Sequence, residues 1–204
     1  MAEITAQMVK ELRERSGAGI MDCKTALKEA EGDVAQGELI LRKRGIAVAQ
    51  KKSSRAANEG TIGTYIHPGS KLGVLVELNC ETDFVARTDD FRQLVHDVAM
   101  HIAAADPQFI RKEDITEEVI ENEKQVQRAR ALQEGKPEQV IEKIIEGRMG
   151  KFYEEVCLLE QPFVKDGSMT IGELITAKIA KLGENITLNR MARFKVGEAS
   201  SADS

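Results

Sequence analysis

The sequence has no tryptophan, and aromatic residues make up only 4% of its 204 positions. Its core must therefore be aliphatic, and a platform for stacking nucleic-acid bases is not expected. No apolar run approaches the roughly 18–20 residues that a membrane span needs, so no membrane partner is expected. The opening stretch MAEITAQMVKELRERSG lacks the apolar segment of a secretory signal, which makes the expected location cytoplasmic. Cysteines are few. Cys23, Cys80 and Cys157 lie far apart with no C-x-x-C pair, so neither a zinc site nor a disulfide framework is indicated. Positive charge is in deficit, with 29 Lys and Arg against 34 Asp and Glu. Binding a phosphate backbone calls for a basic face, so direct nucleic-acid binding is not expected from that balance.

Reactive constellations are also lacking. His67, His96 and His101 are the only histidines, and His96 and His101 stand five apart on one expected helix, not at the i, i+4 spacing of a helical metal pair. No G-x-S-x-G, Walker A or dinucleotide-binding fingerprint occurs. The glycines of SGAG (16–19) have no following Lys-Ser/Thr and no preceding strand, so they are read as a turn and not a phosphate cradle. Cys80 has Glu81 and Asp83 nearby but no basic group to activate its thiol. The expectation is no enzyme, no catalytic residues, no metal site and no cofactor.

What is present is a clear change of period. Residues 1–45 read as three short helices. Ile4, Met8 and Leu12, with Val9 beside them, mark one face of the first. Asp22 is the expected cap of the second, with Gly32 as its stop. Asp33 caps a third, carrying Val34, Leu39, Ile40 and Leu41 and ending near Gly45. Residues 46–60 read as a linker, partly helical. Six basic residues fall between Arg42 and Arg55. They could form a nucleic-acid patch through Lys51, Lys52 and Arg55, or simply a solvated face. The missing aromatics favour the second.

From residue 61 the period becomes two. Ile62 and Ile66 share a parity, HPGSK (67–71) is a turn, and Leu72, Val74, Val76, Leu78 and Cys80 alternate with mostly polar residues. Leu75 falls on the other face. A hairpin with one buried face is expected. Thr88 then caps a helix with Asp89 and Asp90 in its first turn, and Phe91, Leu94, Val95, Val98 and Ile102 form its stripe. A helical hairpin is expected over about 116–159, a loop over 161–168, and a helix after Thr170. Ile186, Leu188, Ala192, Phe194 and Val196 share one face of a last strand, with Arg190 as the exception. The fold class is α+β, with a core over 61–196. The tail, 197–204, has nothing to bury and is expected to be disordered.

Two motifs carry a resemblance. RERSGAGIMDCKTALKEAEGD (13–33) and VELNCETDFVART (76–88), supported by QPF (161–163) and GENITLNRMARF (183–194), resemble the bacterial elongation factor Ts family in its short form. The resemblance covers nearly the whole chain. It implies a UBA-like three-helix module, a linker, and a core of three antiparallel strands packed with helices. It implies a guanine-nucleotide exchange factor that binds elongation factor Tu, and short forms that pair as homodimers.

It also implies sites. Thr82, Asp83, Phe84 and Val85 would form a wedge, with Phe84 pushed into the partner's G domain and displacing the helix that holds its Mg²⁺ site. Arg13, Ile20 and Met21 would form a second docking patch on the N-terminal module. This chain has Ile20-Met21 where the family string has Met-Met, and Thr25 where it has Lys. Each site has a plainer alternative: Phe84 can plug the strand-to-helix corner, and Ile20 and Met21 can close a thin three-helix core. The rival function is a non-catalytic protein-interaction module with a UBA-like end.

Overall fold

The structure is a computed structural model, and it describes residues 4–198. It is α+β, with eight α-helices and two sheets among the described residues. The elements run α1 (Ala6–Ser16), α2 (Ile20–Glu29), α3 (Val34–Lys52), β1 (Glu59–Ile66), β2 (Leu72–Cys80), α4 (Asp83–Ala86) and α5 (Asp89–Ala105). They continue with α6 (Glu117–Gln133), α7 (Glu138–Val156), β3 (Pro162–Phe163), β4 (Asp166–Thr170), α8 (Ile171–Leu182) and β5 (Ile186–Lys195). The antiparallel main sheet has the order β1-β2-β5. The chain forms two compact units. Among the described residues, one is drawn from 4–63, 77–96 and 173–189, the other from 64–76, 97–172 and 190–198. The disordered tail expected over 197–204 lies, apart from Gly197 and Glu198, outside the described residues.

In the first unit, Leu12, Cys23, Ala26 and Leu27 form a small core for α1, α2 and α3, with Ile4, Met8, Val9, Val34, Ile40 and Leu41 packed around it. Thr5 caps α1 through the Met8 amide, and Asp33 caps α3 through Ala35 and Gln36. These caps satisfy amides that have no partner inside the helix. Asp22 does not cap α2. The cap residue is Gly19, and the helix starts at Ile20, which leaves Asp22 in the first turn where the helix dipole favours its charge.

The third helix does not stop near Gly45. It continues to Lys52. A Cβ on Gly45 would lie 3.5 Å from the Ala180 Cβ of α8, an ordinary van der Waals contact, so nothing at this glycine interrupts the helix. Four of the six basic residues expected as a patch or solvated face have partners in the same unit. Arg42 pairs with Glu173, Arg44 with Glu29 and Arg55 with Glu81, and Lys52 donates to the Gly183 carbonyl.

The main sheet buries Val74, Val76, Leu78 and Cys80 of the central strand and leaves Leu75 outside, as the alternation requires. The turn before it closes by a bond from the Ser70 amide to the His67 carbonyl at 2.9 Å, with Gly69 at φ 92°. Two expectations for the edge strands are corrected. Ile62 and Ile66 are not buried. They are 64% and 61% exposed, and the inward positions of β1 are Gly63 with half-buried Thr61 and Tyr65. On β5, Ile186 and Leu188 are buried, but Phe194 and Val196 are exposed and Ala192 is half-buried. Arg193 turns inward instead, its side chain 16% exposed and paired with Asp106 at 3.2 Å. Met191, Ala192 and Arg193 are all half-buried, so the strict two-residue alternation of burial does not continue beyond Leu188.

In the second unit, α6 and α7 form the expected helical hairpin. Ala131, Ile141, Ile145 and Met149 make its seam, and Arg148 pairs with Glu134 across it at 2.7 Å. Thr116 caps α6. The segment expected as a loop, 161–168, holds a short antiparallel ribbon. Pro162 pairs with Thr170 and Phe163 with Asp166.

His101 of α5 holds this ribbon. It is fully buried, its Nδ1 accepts from the Val164 amide at 3.3 Å, and its Nε2 faces Gln161 Oε1 at 3.0 Å. An amide can only donate, so the proton must sit on Nε2. Burial, the larger cause, pushes the imidazole below its ordinary value near 6.5, and the Gln161 bond only partly opposes this. The unfolded chain then binds the proton more readily than the folded one. The His101 contribution is intact above about pH 6.5 and is lost as pH falls below it. Urea unfolding at stepwise lower pH should show this decline, and it should be flattened in His101→Gln, which cannot take up the proton.

Candidate functional site

The strand β2 ends at Cys80, and the chain turns through Glu81 and Thr82 into α4. Thr82 is extended, at φ −131° and ψ 153°, and its hydroxyl accepts from the Val85 amide as the cap of α4. Thr88, one residue before α5, donates its hydroxyl to the Val85 carbonyl at 2.8 Å and accepts from the Phe91 amide at 3.3 Å. The four-residue α4 is thus pinned at both ends. Ala86 faces inward, 7% exposed, and Val85 is half-buried. Phe84 faces outward and is 78% exposed. It does not plug the corner.

A second loop fixes this turn. Between α8 and β5 lie Gly183, Glu184 and Asn185. Glu184 Oε2 accepts from the Glu81 amide at 3.1 Å and the Thr82 amide at 3.0 Å, and Oε1 accepts from the Thr82 hydroxyl at 2.6 Å. The exchange is reciprocal, because Glu81 Oε1 accepts from the Asn185 amide at 2.7 Å. The Asn185 amide is the main cause, and Arg55 a lesser one, that holds the Glu81 carboxyl below the usual carboxylate range. Asn185 Nδ2 donates to the Arg55 carbonyl at 2.8 Å, so the chain leaving α3 is tied to the same knot. Cys80 closes it from below. Its thiol donates to the Thr82 carbonyl at 3.1 Å, and burial first, with the Glu184 charge second, pushes its pKa up. A thiol so placed is a structural donor and a poor nucleophile.

Asp83 is half-buried and bonded to Arg87 at 2.7 Å. A surface pair one helical turn apart is worth only about 0.3–0.5 kcal/mol, so Asp83 can exchange this partner at little cost.

The N-terminal residues also face out. Met21 is 71% and Ile20 57% exposed, at the start of α2, and neither belongs to the three-helix core. Arg13 lies exposed in the last turn of α1, near Arg15, which is engaged by Glu11 at 2.7 Å. The three histidines do not converge, and among the described residues no group of His, Cys, Asp and Glu could hold a metal. No described helix is long and apolar enough to cross a membrane.

Sequence reasoning singled out Thr82, Asp83, Phe84 and Val85, and the structure brings them together on one turn. It missed Glu184 and Asn185, which hold that turn from about 100 residues away. Their only local signal is Gly-Glu-Asn squeezed between a helix end and a strand start.

Comparison with known proteins places the chain in a family. The family described as Elongation factor TS matches residues 41–198. The elongation factor Ts of Solibacter usitatus is 69% identical over 204 residues, covering 100% of this chain and 96% of that one. That of Koribacter versatilis is 60% identical over 195 residues, covering 96% of this chain and 89% of its own. That of Carboxydothermus hydrogenoformans is 58% identical over 195 residues, covering 96% and 90%. Identity at this level over almost the full length of both chains shows that the chain belongs to the elongation factor Ts family, whose members are translation elongation factors.

Proposed function

We propose that the chain is a guanine-nucleotide exchange factor that binds the GDP form of elongation factor Tu in the cytoplasm and drives GDP off it. The observation that carries this reading is Phe84, a large aromatic held out at 78% exposure on a short helix pinned at both ends. Exposed aromatic anchors on rigid supports are the residues that dominate interfaces. In this reading Phe84 enters the G domain, Asp83 leaves Arg87 for a polar partner there, and Thr82 and Val85 shape and brace the turn. Arg13, Ile20 and Met21 dock separately on the same domain.

No covalent chemistry is needed. A bound GDP is held partly through Mg²⁺ bridging its phosphate oxygens and the GTPase. Displacing the partner helix that holds that ion weakens GDP without touching it. Linkage demands the converse: GDP weakens the factor's grip by the same ratio, so the factor is released and acts again. The exposed Ile66, Leu75, Phe194 and Val196 support pairing of the core with a second copy.

The test is stopped-flow release of a fluorescent GDP from elongation factor Tu. Release should accelerate many-fold and rise with the concentration of this protein. A cognate factor whose GDP leaves no faster would sink the exchange reading and leave the interaction-module reading in its place.

A further inference from the structure

We infer that Glu184 is a positioning residue for the exchange step, acting through Phe84. The inference rests on the wedge reading above and adds to it the group that aims the wedge. Three donors converge on one carboxylate: the Glu81 amide, the Thr82 amide and the Thr82 hydroxyl, at 3.1, 3.0 and 2.6 Å. Both amides lie beyond the end of β2, where no strand partner follows, and a turn amide left without an acceptor is costly. The hydroxyl does more. Because it gives its proton to Glu184, its lone pair is left facing the Val85 amide, 3.3 Å away. That bond is the cap of α4. The path from Glu184 to Phe84 therefore has two links, the hydroxyl rotor of Thr82 and the first turn that it caps.

The clamp specifically needs a carboxylate. All three contacts are donors, and a carboxylate offers acceptors only. A glutamine of the same shape would turn an NH₂ group toward a donor at one of the two oxygens. Glu184→Gln thus keeps volume and reach but breaks one side of the clamp. An NH₂ turned to the amides leaves them without acceptors, and one turned to the Thr82 hydroxyl reverses that bond and competes with the Val85 amide for the hydroxyl's lone pairs; either way α4 with Phe84 loses its fixed direction.

A double-substitution cycle tests this, with GDP release from elongation factor Tu as the readout. In the otherwise unchanged protein, Glu184→Gln should lower the exchange efficiency about tenfold, as expected for losing a charge-assisted bond. In a Phe84→Ala background it should lower it no further, because there is no wedge left to aim. Equal losses in both backgrounds would show that Glu184 supports only the fold and would overturn the inference. A loss in Phe84→Ala with none in Glu184→Gln would overturn it too, while leaving the wedge intact. No loss in Phe84→Ala would overturn the wedge reading and this inference together. Should Glu184→Gln fail to fold, Thr82→Val enters the same cycle. It removes the hydroxyl but leaves both amides on Glu184, and should give a smaller loss that is likewise absent without Phe84.

Discussion

Phe84→Ala lowers the acceleration of GDP release by roughly 30-fold, equivalent to about 2 kcal/mol, the threshold of an interface hot spot. The unfolding temperature stays where it was. The two outcomes come from the same fact. A side chain 78% exposed makes few contacts within its own protein, so removing it opens no cavity. Surface substitutions of that kind fall within about 0.5 kcal/mol of neutral. The same side chain, buried in a partner, brings its full apolar area and a rigid ring with only two rotatable bonds. Stability and exchange should therefore separate completely. Asp83→Ala should cost less, since it gives up a polar contact and an Arg87 pair that is weak beforehand. Parallel falls in exchange and stability would mean that Phe84 supports the fold. Unchanged exchange would mean that another surface does the work. Stopped flow together with a thermal melt on one preparation separates these results.

Why Phe84 points outward could not be read from periodicity. Its helix is four residues long, too short to show a 3.6-residue repeat, and an aromatic at a strand-to-helix corner fits a core plug equally well. The resemblance, and not the pattern, marked it as a wedge. The clamp was hidden for a different reason. Glu184 lies 102 residues from Thr82, and no local rule links an acid in one turn to a hydroxyl in another.

The three N-terminal helices, the long amphipathic α5, the helical hairpin and the central strand were legible, because each carries its period over many residues. The edge strands were only half legible. Parity shows which residues share a face but not whether that face is covered, and the shared faces of Ile62, Ile66 and Phe194 are exposed. Gly45 was misread as a stop because a glycine inside a helix costs only about 1 kcal/mol and does not by itself end it. The ribbon of β3 and β4 was missed because a two-residue strand has no period at all.

Gly60→Ala should be among the most damaging single changes in the chain, at a residue that nothing in the sequence distinguishes. Gly60 lies in β1 at φ +146°, a backbone region that side chains rarely enter. A Cβ there would come within 2.2 Å of the Leu78 carbonyl oxygen and 2.7 Å of the Asn79 Cα. Both are backbone atoms of the neighbouring strand, so no side-chain rotation relieves the overlap. The strands must part or the residue must change its φ, and either breaks the pairing beside Leu78, which is fully buried. A cost of at least about 3 kcal/mol is expected, which for a chain of this size lowers the melting temperature by roughly 6–12 °C. Exchange should fall as well, since β2 runs from that pairing directly into the Glu81–Thr82 turn. The matched control is Gly150→Ala in α7, where an added Cβ meets nothing within 4 Å. There the better helix former should stabilise by about 0.5–1 kcal/mol. Melting curves of the two variants should thus move in opposite directions. If Gly60→Ala melts with the parent, the hairpin can absorb the methyl by opening β1, and the approach of the two strands at Gly60 is not what holds the turn in place.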